Sequence, residues 1–151
     1  MFGNKLMFSV RLSIVRFLLT CCALSACSAD LAPPLVASNM EITASIPGGK
    51  MSAGYFALTN NTDDMITISS VVSAQFESVE IHESLLENGV AKMRRIPELS
   101  IPARSTVTLE RGGKHLMLKR PVGNATQVSL KFLSGDTILL GIQAPISSRN
   151  N

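Results

Sequence analysis

Cysteine is nearly missing from this chain of 151 residues, and the three that occur, Cys21, Cys22 and Cys27, all lie near the start. The rest of the chain therefore has no disulfide, no thiolate metal site and no CxxC redox pair. In an oxidising compartment that removes a whole class of chemistry. Long apolar runs are lacking too. The run Phe17 to Ala26 is too short to cross a bilayer, which takes about 20 apolar residues. Histidine occurs twice, as His82 and His115. Past the leader, no stretch keeps a helical period of apolar residues.

An excess of charge is also missing where it would matter. The formal net charge is +3, but Lys5, Arg11 and Arg16 stand in the leader, which holds no acid. From Cys27 onward 11 Lys and Arg face 11 Asp and Glu. The basic isoelectric point belongs largely to the leader and gives no support to nucleic-acid binding, which wants a basic face on the folded domain.

What is present begins with that leader. A basic stretch, a short apolar run and the small residues of "LSAC" make a secretory signal over residues 1–26. "LSAC" is similar to a bacterial lipobox, which makes Cys27 the lipidated N-terminus of the mature chain. The alternative is ordinary cleavage after Ala29, which would leave a soluble periplasmic protein. Residues 27–39, with Pro33-Pro34, are expected to form the tether, residues 40–145 one domain, and residues 146–151 a loose tail.

The domain is cut by turn residues into short alternating pieces. These are "MEITASI", "MSAGYFALT", "ITISSVV", "SVEIHES", "VAKMRRI", "STVTLE", "HLMLK", "TQVSLKFL" and "TILLGIQ". Eight or nine short strands with such spacing predict an all-β sandwich or barrel. Asn88-Gly89 is a strong hairpin signal, because both turn positions want positive φ. A two-residue turn pairs Glu87 with Val90, Ser84 with Met93 and His82 with Arg95. His82, Ser84 and Met93 then share one face; a four-residue turn would put Met93 opposite His82 on that same face, and a three-residue turn with a bulge would break the sharing. In "GGKHLML", His115 and Met117 share a face while Leu116 and Leu118 look to the core. Both histidines of the chain thus belong to His–Met pairs.

That donor set has a chemistry. Imidazole accepts several first-row metals, but thioether sulfur is soft and selects Cu(I). Zinc would want Cys, His or carboxylate. All four groups are neutral, and thioethers carry no proton for a metal to displace. The ordinary alternative makes Met117 core filler and His115 a surface residue. Glu80, Glu83 and Glu87 read as a solvated edge, and Ser84 lacks an acid orienter for nucleophilic work. Lys92, Arg94, Arg95, Arg111, Lys114, Lys119 and Arg120 read as surface charge or as a basic rim that steers an acidic partner. Tyr55 is expected in the core, and Met40, Met51 and Met65 in packing or loops.

The spacing His82-x10-Met93-x21-His115-Leu-Met117, with "SAGYFALTNNTDD", "VEIHES", "VAKMRRIPELSIPA" and "GGKHLMLKRP" in order, resembles the periplasmic copper chaperones of the PCuAC family over roughly residues 40 to 145. The resemblance implies a cupredoxin-like Greek-key β-sandwich that binds Cu(I) through His82, Met93, His115 and Met117. It also implies a carrier rather than an enzyme, and a monomer is expected. Its copper would go toward the copper-centre subunit of cytochrome c oxidase, alongside a Sco-type protein. The alternatives are copper sequestration, an interaction lipoprotein whose His–Met pairs are incidental, or an enzyme using copper for redox chemistry. Relatives often read "HEM" where this chain reads "HES", so Ser84 stands in for an auxiliary methionine. Many relatives are soluble, whereas "LSAC" implies a lipid anchor on the periplasmic side of a bacterial membrane.

Overall fold

The computed structural model describes residues 32–45 and 48–147. The signal segment, Cys27 and the last four residues lie outside them. Eleven strands and no helix make up the described part: β1 (Leu35–Thr43), β2 (Met51–Asn60), β3 (Ile66–Ile68), β4 (Ser70–Ser73), β5 (Phe76–Glu87), β6 (Val90–Ile96), β7 (Leu99–Ile101), β8 (Thr106–Leu109), β9 (Lys114–Pro121), β10 (Gln127–Ser134) and β11 (Thr137–Ser147). The expected all-β class holds. The main sheet runs β1-β11-β10-β4-β5-β9-β2, and pairing of β1 with β2 closes these seven strands into a ring. The ring is mixed, because β1 and β11 run parallel while the other pairs are antiparallel. Closure leaves no edge within the ring. Two strands extend it: β8 on β2 and β6 on β5.

Strict alternation creates the inside. Along β2 the residues Ser52, Gly54, Phe56, Leu58 and Asn60 are buried, and those between them are more exposed. This is the period-two pattern of a half-buried strand. Ile42, Leu58, Leu116, Leu118, Val128, Leu130 and Phe132 are fully buried in the core. Phe56 meets Phe132 edge-on at 5.7 Å between ring centroids. Gly54 is where β2 comes close to its neighbours. A Cβ there would stand 2.9 Å from Ile42 Cδ1 and 3.2 Å from Leu116 Cβ.

Three boundaries differ from the sequence expectation. β1 starts at Leu35, inside the expected tether, because Leu35 is buried and pairs with Asn60. The double proline just before it stops the ladder, since proline offers no N–H. "ITISSVV" divides at Ser69 into β3 and β4, and its two parts join different sheets. β7 has no strand signal of its own in the sequence because Pro97 and Pro102 bracket it, yet Leu99 and Ile101 are buried and pair with β3. Buried Asn60 ties this corner together. Its Nδ2 faces the carbonyls of Asp64, Ile101 and Pro102 at 2.7, 3.1 and 3.0 Å. Its Oδ1 accepts from the N–H and hydroxyl of Thr62.

Candidate metal centre

The turn at Asn88-Gly89 has φ of 53° and 78°, positive at both positions, and the hairpin register is the counted one. Glu87 pairs with Val90, Ser84 with Met93 and His82 with Arg95. On the other side of β5, His82 is the direct partner of His115, and Glu80 of Met117. Met117 in turn pairs with Ala53 of β2. Because side chains alternate, one outer face carries Met93, His82, Ser84, Glu80, His115, Met117, Ala53 and Tyr55 across β6, β5, β9 and β2. Leu116 and Leu118 point the opposite way and are fully buried.

The turn before β9 sets the ring of His115. Gly112 takes φ of 79°, a left-handed value that glycine adopts without strain. The chain then brings the Gly113 carbonyl within 3.0 Å of His115 Nδ1. A carbonyl only accepts, so Nδ1 carries the proton and Nε2 keeps its lone pair. His115 is 6% exposed. Its ring lies 6.1 Å from that of His82 and 6.5 Å from that of Tyr55.

His82 is held the other way round. Its Nε2 lies 2.7 Å from Glu80 Oε2. That carboxylate also accepts from Lys119 Nζ at 2.6 Å. The hydrogen bonds from Lys119 and then His82 hold the Glu80 carboxyl down to about 2, against an ordinary 4.5, despite an opposing push from burial. An ionised carboxylate only accepts, so Nε2–H is the donor. The lone pair is left on Nδ1, which is buried and has no hydrogen-bond partner. A buried unpartnered polar atom carries a desolvation cost. A carboxylate behind an imidazole is a common support for a metal-binding histidine.

A cavity of about 310 Å³ opens on this face, with Met51, Tyr55, Ser84, Met93, His115 and Met117 among its walls. Three of the four expected donors thus meet at one cavity. His82 is not among its lining residues and touches the group through its ring pairing with His115. Among the described residues, no cluster of three or more His, Cys, Asp or Glu is placed to hold a metal ion.

Several smaller expectations change. Tyr55 is not a core residue: it sits on the outer face with the Arg111 guanidinium 4.6 Å above its ring, and Arg111 also pairs with Glu41. Glu80 is not a solvated edge residue, being engaged by His82 and Lys119. Met51, expected in packing or a loop, stands at the cavity. The cation cluster is mostly neutralised in place. Lys92 pairs with Glu87, Arg94 and Lys114 with Glu83, Lys119 with Glu80, Arg111 with Glu41 and Arg120 with Glu77. Arg94 and Lys114 hold the Glu83 carboxyl below its usual range. The alternation of β2 was the available signal for Met51 and Tyr55. Reading it required knowing that β2 lies beside β9.

This architecture is that of the PCuAC domains. The Cu(I) form of DR1885 from Deinococcus radiodurans is 30% identical, with 80% of this chain and 82% of that one covered and a TM-score of 0.58. The copper-bound PCuAC domain of PmoF2 has the same fold, at 20% identity, a TM-score of 0.62, and coverage of 77% of this chain and 94% of that domain. Residues 35–146 match the family described as "Putative lipoprotein LpqE-like", and the chain belongs to that family. It is also 26% identical over 143 residues to "Putative lipoprotein Lxx21020" of Leifsonia xyli subsp. xyli, covering 89% of this chain and 86% of the relative.

Proposed function

We propose that this domain is a Cu(I) carrier, not an enzyme, held by a lipid on Cys27 at the periplasmic side of a bacterial membrane. The observation that carries the reading is the meeting of Met93, Met117 and His115 at one cavity, with His82 paired directly to His115. Each histidine has one nitrogen tied down, His115 by the Gly113 carbonyl and His82 by Glu80. Each therefore keeps one nitrogen lone pair for a metal. Thioether sulfur makes the set selective for Cu(I) over harder ions. Neutral donors hold the ion without proton release, which suits loading and unloading. The copper centre of cytochrome c oxidase, with a Sco-type thiol protein alongside, is the destination we assign.

Anaerobic titration with Cu(I) against a competing chelator tests the site. A saturable 1:1 complex is expected, weakened in His82→Ala and His115→Ala variants. No uptake by the folded protein ends the carrier reading. Copper transfer to an oxidase copper-centre fragment separates delivery from sequestration. For the anchor, Cys27→Ala should release the protein from membranes and abolish incorporation of labelled fatty acid. Label retained in that variant would refute lipidation at Cys27.

A further inference from the structure

We infer that Met51 is a third sulfur donor of the proposed copper site, standing at its mouth. The inference rests on the Cu(I) reading above and adds a residue to it. Met51 begins β2, and the alternation of that strand puts it on the outer face with Ala53 and Tyr55. Ala53 is the register partner of Met117, so Met51 is the diagonal neighbour of Met117. Long side chains span that separation. Ala53, opposite Met117, has only a methyl group, and the direct partner of Met51 is Lys119. Met51, Met93, Met117 and His115 accordingly wall the same cavity.

Packing does not explain Met51. The core positions of β2 are the alternate ones, and Met51 is 60% exposed. Met93, on the far wall, is 53% exposed. The cavity therefore has two thioethers at its mouth and a third, from Met117, deeper in. Ser84 faces Met93 across the hairpin and brings only an oxygen, a hard donor that Cu(I) disfavours. Three methionines and His115 thus line the cavity, while the His82 imidazole beside His115 is held by Glu80. An exposed sulfur is the donor that an arriving ion meets first and the one an acceptor's donor can replace first. One Cu–S bond to Met51 forms on loading and is exchanged on unloading. The ion stays Cu(I), and no proton or electron moves.

The test uses the full chain, loaded anaerobically with Cu(I), and two measurements. Met51→Leu should lower the number of sulfur neighbours seen by copper X-ray absorption by one. It should also raise the Kd for Cu(I), measured by chelator competition, by about tenfold. Met65→Leu is the control, because Met65 is equally exposed, at 63%, but does not line the cavity. It should change neither reading. Leucine at an exposed position leaves the fold intact. A Met51→Leu protein matching the parent in both sulfur count and Kd overturns the inference and leaves the carrier reading standing. A parent protein that takes up no Cu(I) overturns the carrier reading, and the role of Met51 with it.

Discussion

Replacing Met93 and Met117 together by leucine separates ligation from packing. Met93 lies on β6, which pairs with β5 alone, and is 53% exposed, so little of its side chain contributes to the core. Met117 is half-buried on the outer face, between two leucines that point inward. Leucine keeps similar apolar volume at both positions, and such exchanges usually cost less than about 1.5 kcal/mol. With Met93 so exposed, most of any loss must come from Met117. Two soft donors disappear from the cavity at the same time. The affinity for Cu(I) should fall at least about tenfold, equivalent to about 1.4 kcal/mol. Binding of Zn(II) or Cu(II) should change less, because those ions gain little from thioether. Anaerobic chelator competition reads the affinity, and denaturant unfolding of the metal-free protein reads the stability. Packing residues would produce the reverse pattern: a stability loss well above about 1.5 kcal/mol with Cu(I) affinity unchanged. That result would refute the argument from donor softness.

Glu80 makes a pH prediction. Its folded value of about 2 lies below the ordinary 4.5, so its contribution to stability is full above about 4.5 and is lost as pH falls toward 2. The denaturation midpoint of the metal-free protein should drop across that window, and less steeply in Glu80→Gln. Equal slopes would show that the contacts to Lys119 and His82 do not stabilise the fold. Asn60→Ala strips the carbonyls of Ile101 and Pro102 and the N–H of Thr62 of a buried partner. It should destabilise by about 1–3 kcal/mol in urea titration. Gly54→Ala forces a methyl against Ile42 and Leu116 and should cost about 1–3 kcal/mol. Wild-type stability in that variant would mean that β1 and β9 yield freely around β2.

Local chemistry made parts of the site readable in advance. Asn88-Gly89 imposes a two-residue turn, and that turn alone sets Ser84 against Met93. The parity of "HLML" sends His115 and Met117 one way and the leucines the other, because successive side chains of a strand point to opposite faces. The spacing of His82, Met93, His115 and Met117 carried the family resemblance, and the PCuAC fold bears it out. Softness of the donor set follows from residue types and needs no coordinates.

Partnership between distant strands was not readable, since pairing depends on which segments bury one another's apolar faces. Nothing near His82 in the chain says that β9 lies beside β5 with His115 directly opposite. Nothing near Met51 says that β2 continues that sheet on the far side of Met117. Charge pairing shows the same limit. Seven cations near the expected ligands read as surface charge or as a basic rim, and six of them meet carboxylates on other turns and strands. The proton positions on the two imidazoles also belong to the tertiary structure. A carbonyl two residues before His115 and a carboxylate two residues before His82 hold opposite nitrogens. The sequence by itself determined the class of fold and the two-residue hairpin turn, because these follow from alternation and turn preference, and its donor types carried the expectation of Cu(I). Long-range pairing of β5 with β9 and of β9 with β2 decided which candidate residues meet, since it brings β2, β5, β6 and β9 onto one face.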